Sequence, residues 1–164
     1  MKQSIQIFVV IGDDAKEHKK RAIKKLSEKL QQYIDSGILI HTYEAMTDNP
    51  EQGEAPGNCH NIALGFMTDL INAGCSQGWF WLTGENKQRL DNMGNPLTHS
   101  WLEFDGFAVD ATEIQRDNPE ILTISIGEAE HYYKAKKIKK ITRRFDSAQT
   151  RRWIFRKANK EKDV

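Results

Sequence analysis

Ile5 to Ile11 is an apolar run broken only by Gln6 and halted by Gly12, Asp13 and Asp14, a pattern that predicts a short buried strand. From Asp14 to Ser36 the period changes. Ala15, Ala22, Ile23, Leu26, Leu30, Tyr33 and Ile34 recur mostly three or four apart among Lys, Glu and Gln, which predicts an amphipathic helix over 14–36. Asp13 or Asp14 would cap it and Gly37 would end it. Ile38 to Tyr43 reads as a strand, and 46–58, with two Pro and two Gly, as a loop. Helical spacing resumes at Cys59. Ile62, Ala63, Phe66, Met67, Leu70 and Ile71 give a largely buried helix that ends near Gly74.

Gly78 to Thr83 is aromatic and apolar and predicts a core strand, followed by a polar excursion to Pro96. Leu97 to Thr112 carries the strongest local signal: Asp105-Gly106 between alternating runs of strand formers, which predicts a two-residue hairpin with a type I′ turn. Further on, Ile121 to Ile126 reads as a strand, Glu128 to Lys137 as a helix and Ile138 to Phe145 as a strand. A last helix capped by Asp146 or Ser147 would run through Ala158. No repeat or linker divides residues 1–164, so the expectation is one α+β domain. Its parts are a helix at 14–36, a core over about 38–126 and a C-terminal segment at 134–164.

At 38% hydrophobic and 29% charged residues, the composition is that of a folded globule rather than a disordered chain. The apolar run before Gly12 is too short to span a bilayer and no small-residue cleavage site follows it, which points to the cytoplasm, although leaderless export leaves no such mark. A helix between Cys59 and Cys75 would hold their sulfurs roughly 24 Å apart, so both are expected as free thiols in a reducing compartment. The net charge of +1 conceals an asymmetry. Residues 134–164 hold thirteen Lys and Arg against three acids, a net of +10, leaving 11 cations against 20 acids, or −9, for residues 1–133.

The hairpin register can be computed from its turn. With Asp105 and Gly106 at the corner, Phe104 opposes Phe107, Trp101 opposes Asp110 and His99 opposes Thr112. Opposed residues share a face, so His99, Trp101, Glu103, Ala108, Asp110 and Thr112 lie on one side. Ser100, Leu102, Phe104, Phe107, Val109 and Ala111 lie on the other, a nearly all-apolar face that belongs to the core. Asp110 is then the diagonal neighbour of His99, at ~7–8 Å between backbone positions, close enough for the carboxylate to orient the imidazole. Cys59 follows Pro56-Gly57-Asn58. With Asn58 as N-cap, its sulfur sits in the first turn of a helix, where the macrodipole and free N–H groups favour a thiolate. Each residue alone has a plainer explanation, as a buried thiol, a hydrogen-bonded strand His or a turn Asp. Their conjunction matches an activated cysteine nucleophile with Cys59, His99 and Asp110 as a triad.

The motifs Gly57-Asn58-Cys59-His60-Asn61, His99-Ser100-Trp101-Leu102-Glu103 and Val109-Asp110-Ala111-Thr112 resemble the core of transglutaminase-like cysteine enzymes. In that family a Cys at a helix start is followed by His-x-Trp on one strand and Asp-x-Thr on the next. The resemblance covers about residues 52–113. It implies a papain-like α+β core, with a nucleophile helix packed on a small antiparallel sheet, acting on amide or thioester carbonyls. It also implies an oxyanion hole built from the N–H of the nucleophile and an upstream side chain, for which Gln52 stands in the right place; a solvated loop residue is the plainer reading of Gln52.

No metal or cofactor is expected. There is no Cys-x-x-Cys pair, no His-x-x-x-His spacing and no glycine-rich phosphate loop. Two functions therefore stand side by side. The first is a thiol hydrolase or acyltransferase (peptidase, deamidase, amidase or transglutaminase) acting on a protein or peptide. The second is a noncatalytic binding module whose basic C-terminus grips nucleic acid or an acidic protein. In that segment Ile138, Ile141, Phe145, Trp153 and Phe155 are interleaved with cations, a pattern that fits either an anion-binding surface or apolar residues docked on the core beneath solvated charge.

Overall fold

The structure, a computed structural model, describes residues 5–47, 58–111, 121–135 and 137–162. The Asp105-Gly106 hairpin organises it. Both corner residues take positive φ, 51° and 80°, as a type I′ turn demands, and this conformation carries little strain only for residues such as Asp and Gly. The turn fixes the register between β3 (Pro96–Phe104) and β4 (Phe107–Asp110), with Leu102 opposite Val109, Glu103 opposite Ala108 and Phe104 opposite Phe107.

Four more strands extend this pair into one six-stranded sheet: β1 (Ile5–Val10), β2 (Trp79–Leu90), β5 (Leu122–Glu128) and β6 (Ile138–Asp146), in the order β1-β5-β4-β3-β2-β6. The α+β class stands, but the expected purely antiparallel sheet does not. β1 pairs with β5 in parallel, Ile5 opposite Leu122. The strands nearest the two ends of the chain form the two edges of the sheet, so the core draws on more than 38–126.

One face carries Trp79, Leu102, Phe107, Val109, Leu122, Ile124 and Ile126, packed against α1 (Glu17–Asp35), α2 (Ile40–Thr47) and α3 (Asn58–Asn72). α1 contributes Ile23, Leu26, Leu30 and Ile34, the stripe that the sequence period requires. The opposite face carries a second cluster of Leu82, Trp101 and Ala108 under Tyr132 and Tyr133 of α4 (Ala129–Ala135). Gly127 permits this approach, since a Cβ there would lie 2.6 Å from the Tyr132 ring. α5 (Ser147–Lys162) follows β6. Asp146 caps it in a reciprocal box, accepting from the Gln149 N–H at 2.8 Å while the Gln149 side chain accepts from the Asp146 N–H at 3.2 Å.

Four local expectations are corrected. Ile38 to Tyr43 is not a strand: Leu39, Thr42 and Met46 are buried at helical spacing in and beside α2. The start of that helix is capped from outside, because Asp69 of α3 accepts from the His41 and Thr42 N–H groups and from the Thr42 hydroxyl. The N-cap of α1 is Lys16, with no side-chain cap, rather than Asp13 or Asp14. β2 continues through the polar residues to Leu90 because β3 and β6 flank it and supply backbone partners. The reversal is only 91–95, where Asp91 Oδ1 accepts from the N–H groups of Met93 and Asn95. Asn58 is the first helical residue of α3 rather than its cap.

Candidate active site

Cys59 is the second residue of α3, where helix N–H groups have no intrahelical partner. The helix is driven onto the sheet by Ile62, Ala63, Phe66, Met67 and Leu70, all buried. Its start thereby meets β3 near Thr98, whose carbonyl oxygen lies 3.8 Å from the half-buried Cys59 sulfur. His99 projects from the other face of β3, beside the second cluster. Thiol and imidazole meet nonetheless. β4 is only four residues long and its pairing with β3 ends at Leu102 opposite Val109, so among the described residues no strand covers that side of β3 at 98–100. Through this opening the Cys59 sulfur comes close enough to His99 to act on its ring.

On its other side His99 Nε2 lies 2.7 Å from Asp110 Oδ2, which leaves Nδ1 as the ring nitrogen available to the thiol. The imidazole keeps 18% of its side-chain exposure and the carboxylate 3%, so the pair is largely withdrawn from water while the sulfur remains accessible. Burial by itself would depress the imidazole. Hydrogen bonds from Asp110 and Cys59, and the charges of both, outweigh it and raise His99 from 6.5 to about 10. The arrangement favours an imidazolium paired with the Asp110 carboxylate.

The surroundings hold this geometry. The His99 ring stacks on Trp101, centroids 5.9 Å apart, and Trp101 packs at 4.2 Å on Tyr133. Ser125 is the cross-strand neighbour of Asp110. The Tyr133 hydroxyl faces Asp110 without reaching normal hydrogen-bond geometry, and burial first, then the Asp110 charge, pushes its phenol well above 10. Glu103, the other carboxylate on this face, is raised by partial burial and held down by the Arg144 charge.

Cys59, His99 and Asp110 are thus brought together, while Gln52 lies outside the described residues. His60, outside the expected triad, is engaged as well. In the structure its two ring nitrogens meet the Ser100 hydroxyl and, at 2.8 Å, the Thr98 hydroxyl, and Ser100 also bonds Thr83 at 2.9 Å. One signal for this existed: Ser100 is the lone polar residue on the otherwise apolar hairpin face, and it is fully buried. A second His-Asp contact, His41 Nδ1 to Asp69 at 2.7 Å, borders an open groove of about 580 Å³ lined also by Glu44, Asn61 and Thr68. Asp69 is committed there to capping α2. Among the described residues no group of three or more His, Cys, Asp or Glu is arranged to hold a metal, and no helix is long and apolar enough to cross a membrane. No protein-family model matches this chain, and no curated protein or solved structure matches it either.

Proposed function

We propose that the chain is a thiol-dependent acyl-transfer enzyme with a papain-like or transglutaminase-like core, attacking an amide carbonyl of a protein or peptide through a Cys59 thioester. The observation that carries this reading is His99, bonded to buried Asp110 and lying beside Cys59 at the start of a helix. The thiolate adds to the carbonyl carbon, and the free N–H groups of the first turn of α3 face the developing oxyanion. The His99 imidazolium passes its proton to the leaving amine as the C–N bond breaks, giving the thioester and a neutral imidazole. Water, or an acceptor amine, then loses a proton to His99 and attacks the thioester, and the sulfur departs as thiolate. Hydrolysis is the default outcome. Two free thiols agree with a cytoplasmic setting.

Mass-resolved alkylation tests the reading. At about pH 6, where an ordinary thiol of pKa ~8.5 is nearly inert to iodoacetamide, Cys59 reacts much faster than Cys75. Equal rates would remove its main support.

A second reading has one observation in its favour. Phe145 and Trp153 dock on Trp81, at 5.2 and 6.1 Å between centroids, yet Ile141 and Phe155 stay exposed. Among the described residues no ion pair engages Arg143, Arg151, Arg152 or Arg156. A surface rich in cations with exposed apolar residues suits an anionic partner, nucleic acid or an acidic protein.

A further inference from the structure

His60 is adjacent in sequence to Cys59 and touches, through space, the two residues that flank His99. Its Nε2 lies 2.8 Å from Thr98 Oγ1 and its Nδ1 meets Ser100 Oγ, which continues to Thr83 of β2. This stretch of β3 needs such a hold. On one side it pairs with β2, Thr83 opposite Ser100, Gly84 opposite His99 and Glu85 opposite Thr98. On the other, the described pairing with β4 has already ended. Cys59 meanwhile rests against the Thr98 carbonyl.

We infer that His60 is a positioning residue: it clamps the first turn of α3 to Thr98 and Ser100, and so fixes the separation between the Cys59 sulfur and the His99 ring. In a neutral imidazole one nitrogen donates and the other accepts between the two hydroxyls. Partial burial, and then the nearby His99 charge, lower His60 and keep it in that form. The fully buried Ser100 hydroxyl has its partners supplied by the same network, which accounts for a polar residue at the centre of an apolar face. The inference rests on the thiol reading above, because its effect is felt at Cys59.

The experiment uses the full chain with His60→Leu, His60→Gln and Ser100→Ala, each checked for folding by thermal unfolding. The rate of Cys59 alkylation by iodoacetamide is compared at about pH 6 and about pH 9.5, with Cys75 as internal control. Loss of the clamp lowers the Cys59 rate near pH 6 by about tenfold or more, while the rate near pH 9.5, where ordinary thiols are already ionised, changes by less than about twofold. His60→Gln retains part of the low-pH rate because the amide can both donate and accept, and Ser100→Ala falls between. A folded His60→Leu protein with the wild-type low-pH rate overturns the inference. If that variant does not fold, an unchanged rate in Ser100→Ala overturns it equally. Wild-type Cys59 reacting no faster than Cys75 is a different result, which refutes the thiol reading and leaves His60 with nothing to position.

Discussion

Replacing Asp110 by Asn keeps the shape of the side chain and removes its charge, at a site where the oxygen lies 2.7 Å from His99 Nε2 and only 3% of the side chain is exposed. A charge-assisted hydrogen bond of this kind contributes about 1.5–3 kcal/mol, and each pH unit corresponds to 1.36 kcal/mol, so the imidazole is expected to fall by about one to two units from its raised value of about 10. The amide can also present its NH2 to the ring and reverse the tautomer, an error that lowers turnover ~10⁴-fold in a serine-protease triad. Glu103→Gln is the control. Glu103 shares the face but stands four residues along the same strand from His99, ~13 Å away at about 3.3 Å per residue, and it answers to Arg144. The assay is the pH profile of Cys59 alkylation in both variants beside the wild type, with turnover added once a substrate is in hand. Asp110→Asn should suppress the low-pH reactivity and Glu103→Gln should leave it within about twofold. The stability of the wild type follows the same group. Its folded value lies above the unfolded ~6.5, so the stabilisation is complete below about 6.5 and is lost as pH rises through about 10. The gap in stability between wild type and Asp110→Asn should therefore be widest between about pH 4 and 6.5, where the carboxylate is ionised and the imidazole protonated in both states, and narrow toward pH ~10. Greater damage from Glu103→Gln, or a folded Asp110→Asn protein with undiminished low-pH reactivity, would refute the assignment of Asp110 as the group that orients His99.

Gly65 lets α3 approach α2, since a Cβ there would lie 3.0 Å from the His41 carbonyl oxygen; Gly65→Ala should lower stability in urea unfolding by about 1–3 kcal/mol, and no loss would mean that the helices separate freely. If residues 134–164 bind nucleic acid, affinity should fall linearly on a log–log plot against salt with a slope reflecting several phosphates, and Arg151→Ala with Arg152→Ala should flatten it. Absence of binding at about 50 mM salt would leave that face as solvated charge.

What was legible in the sequence was set by neighbours close along the chain. The Asp105-Gly106 turn dictates its own register, so the face shared by His99 and Asp110 followed from counting, and the stripes of α1 and α3 followed from their periods. What was missed depends on residues far apart. α2 takes its cap from Asp69, 28 positions beyond His41, so its short apolar run read as a strand. The polar half of β2 is a strand because β3 and β6 flank it, and the parallel pairing of β1 with β5 leaves no local trace. Tyr133 reaches the site from a helix whose close approach depends on Gly127, which spacing along the chain does not disclose.

The position of the site follows from the unequal lengths of two strands. Had β4 matched the nine residues of β3, a continuous ladder would stand between the α3 face and the α4 face, and a thiol on one could not meet an imidazole on the other. Because β4 is short, the start of α3 and β3 near Thr98 share an opening, and the sheet itself separates the half-buried sulfur from the buried carboxylate. α4 then closes over the far side with Tyr132 and Tyr133. That closure sets two influences against each other at His99: burial favours the neutral ring, and Asp110 and Cys59 together outweigh it. His60, next to Cys59 in sequence, meets Thr98 and Ser100, the residues on both sides of His99.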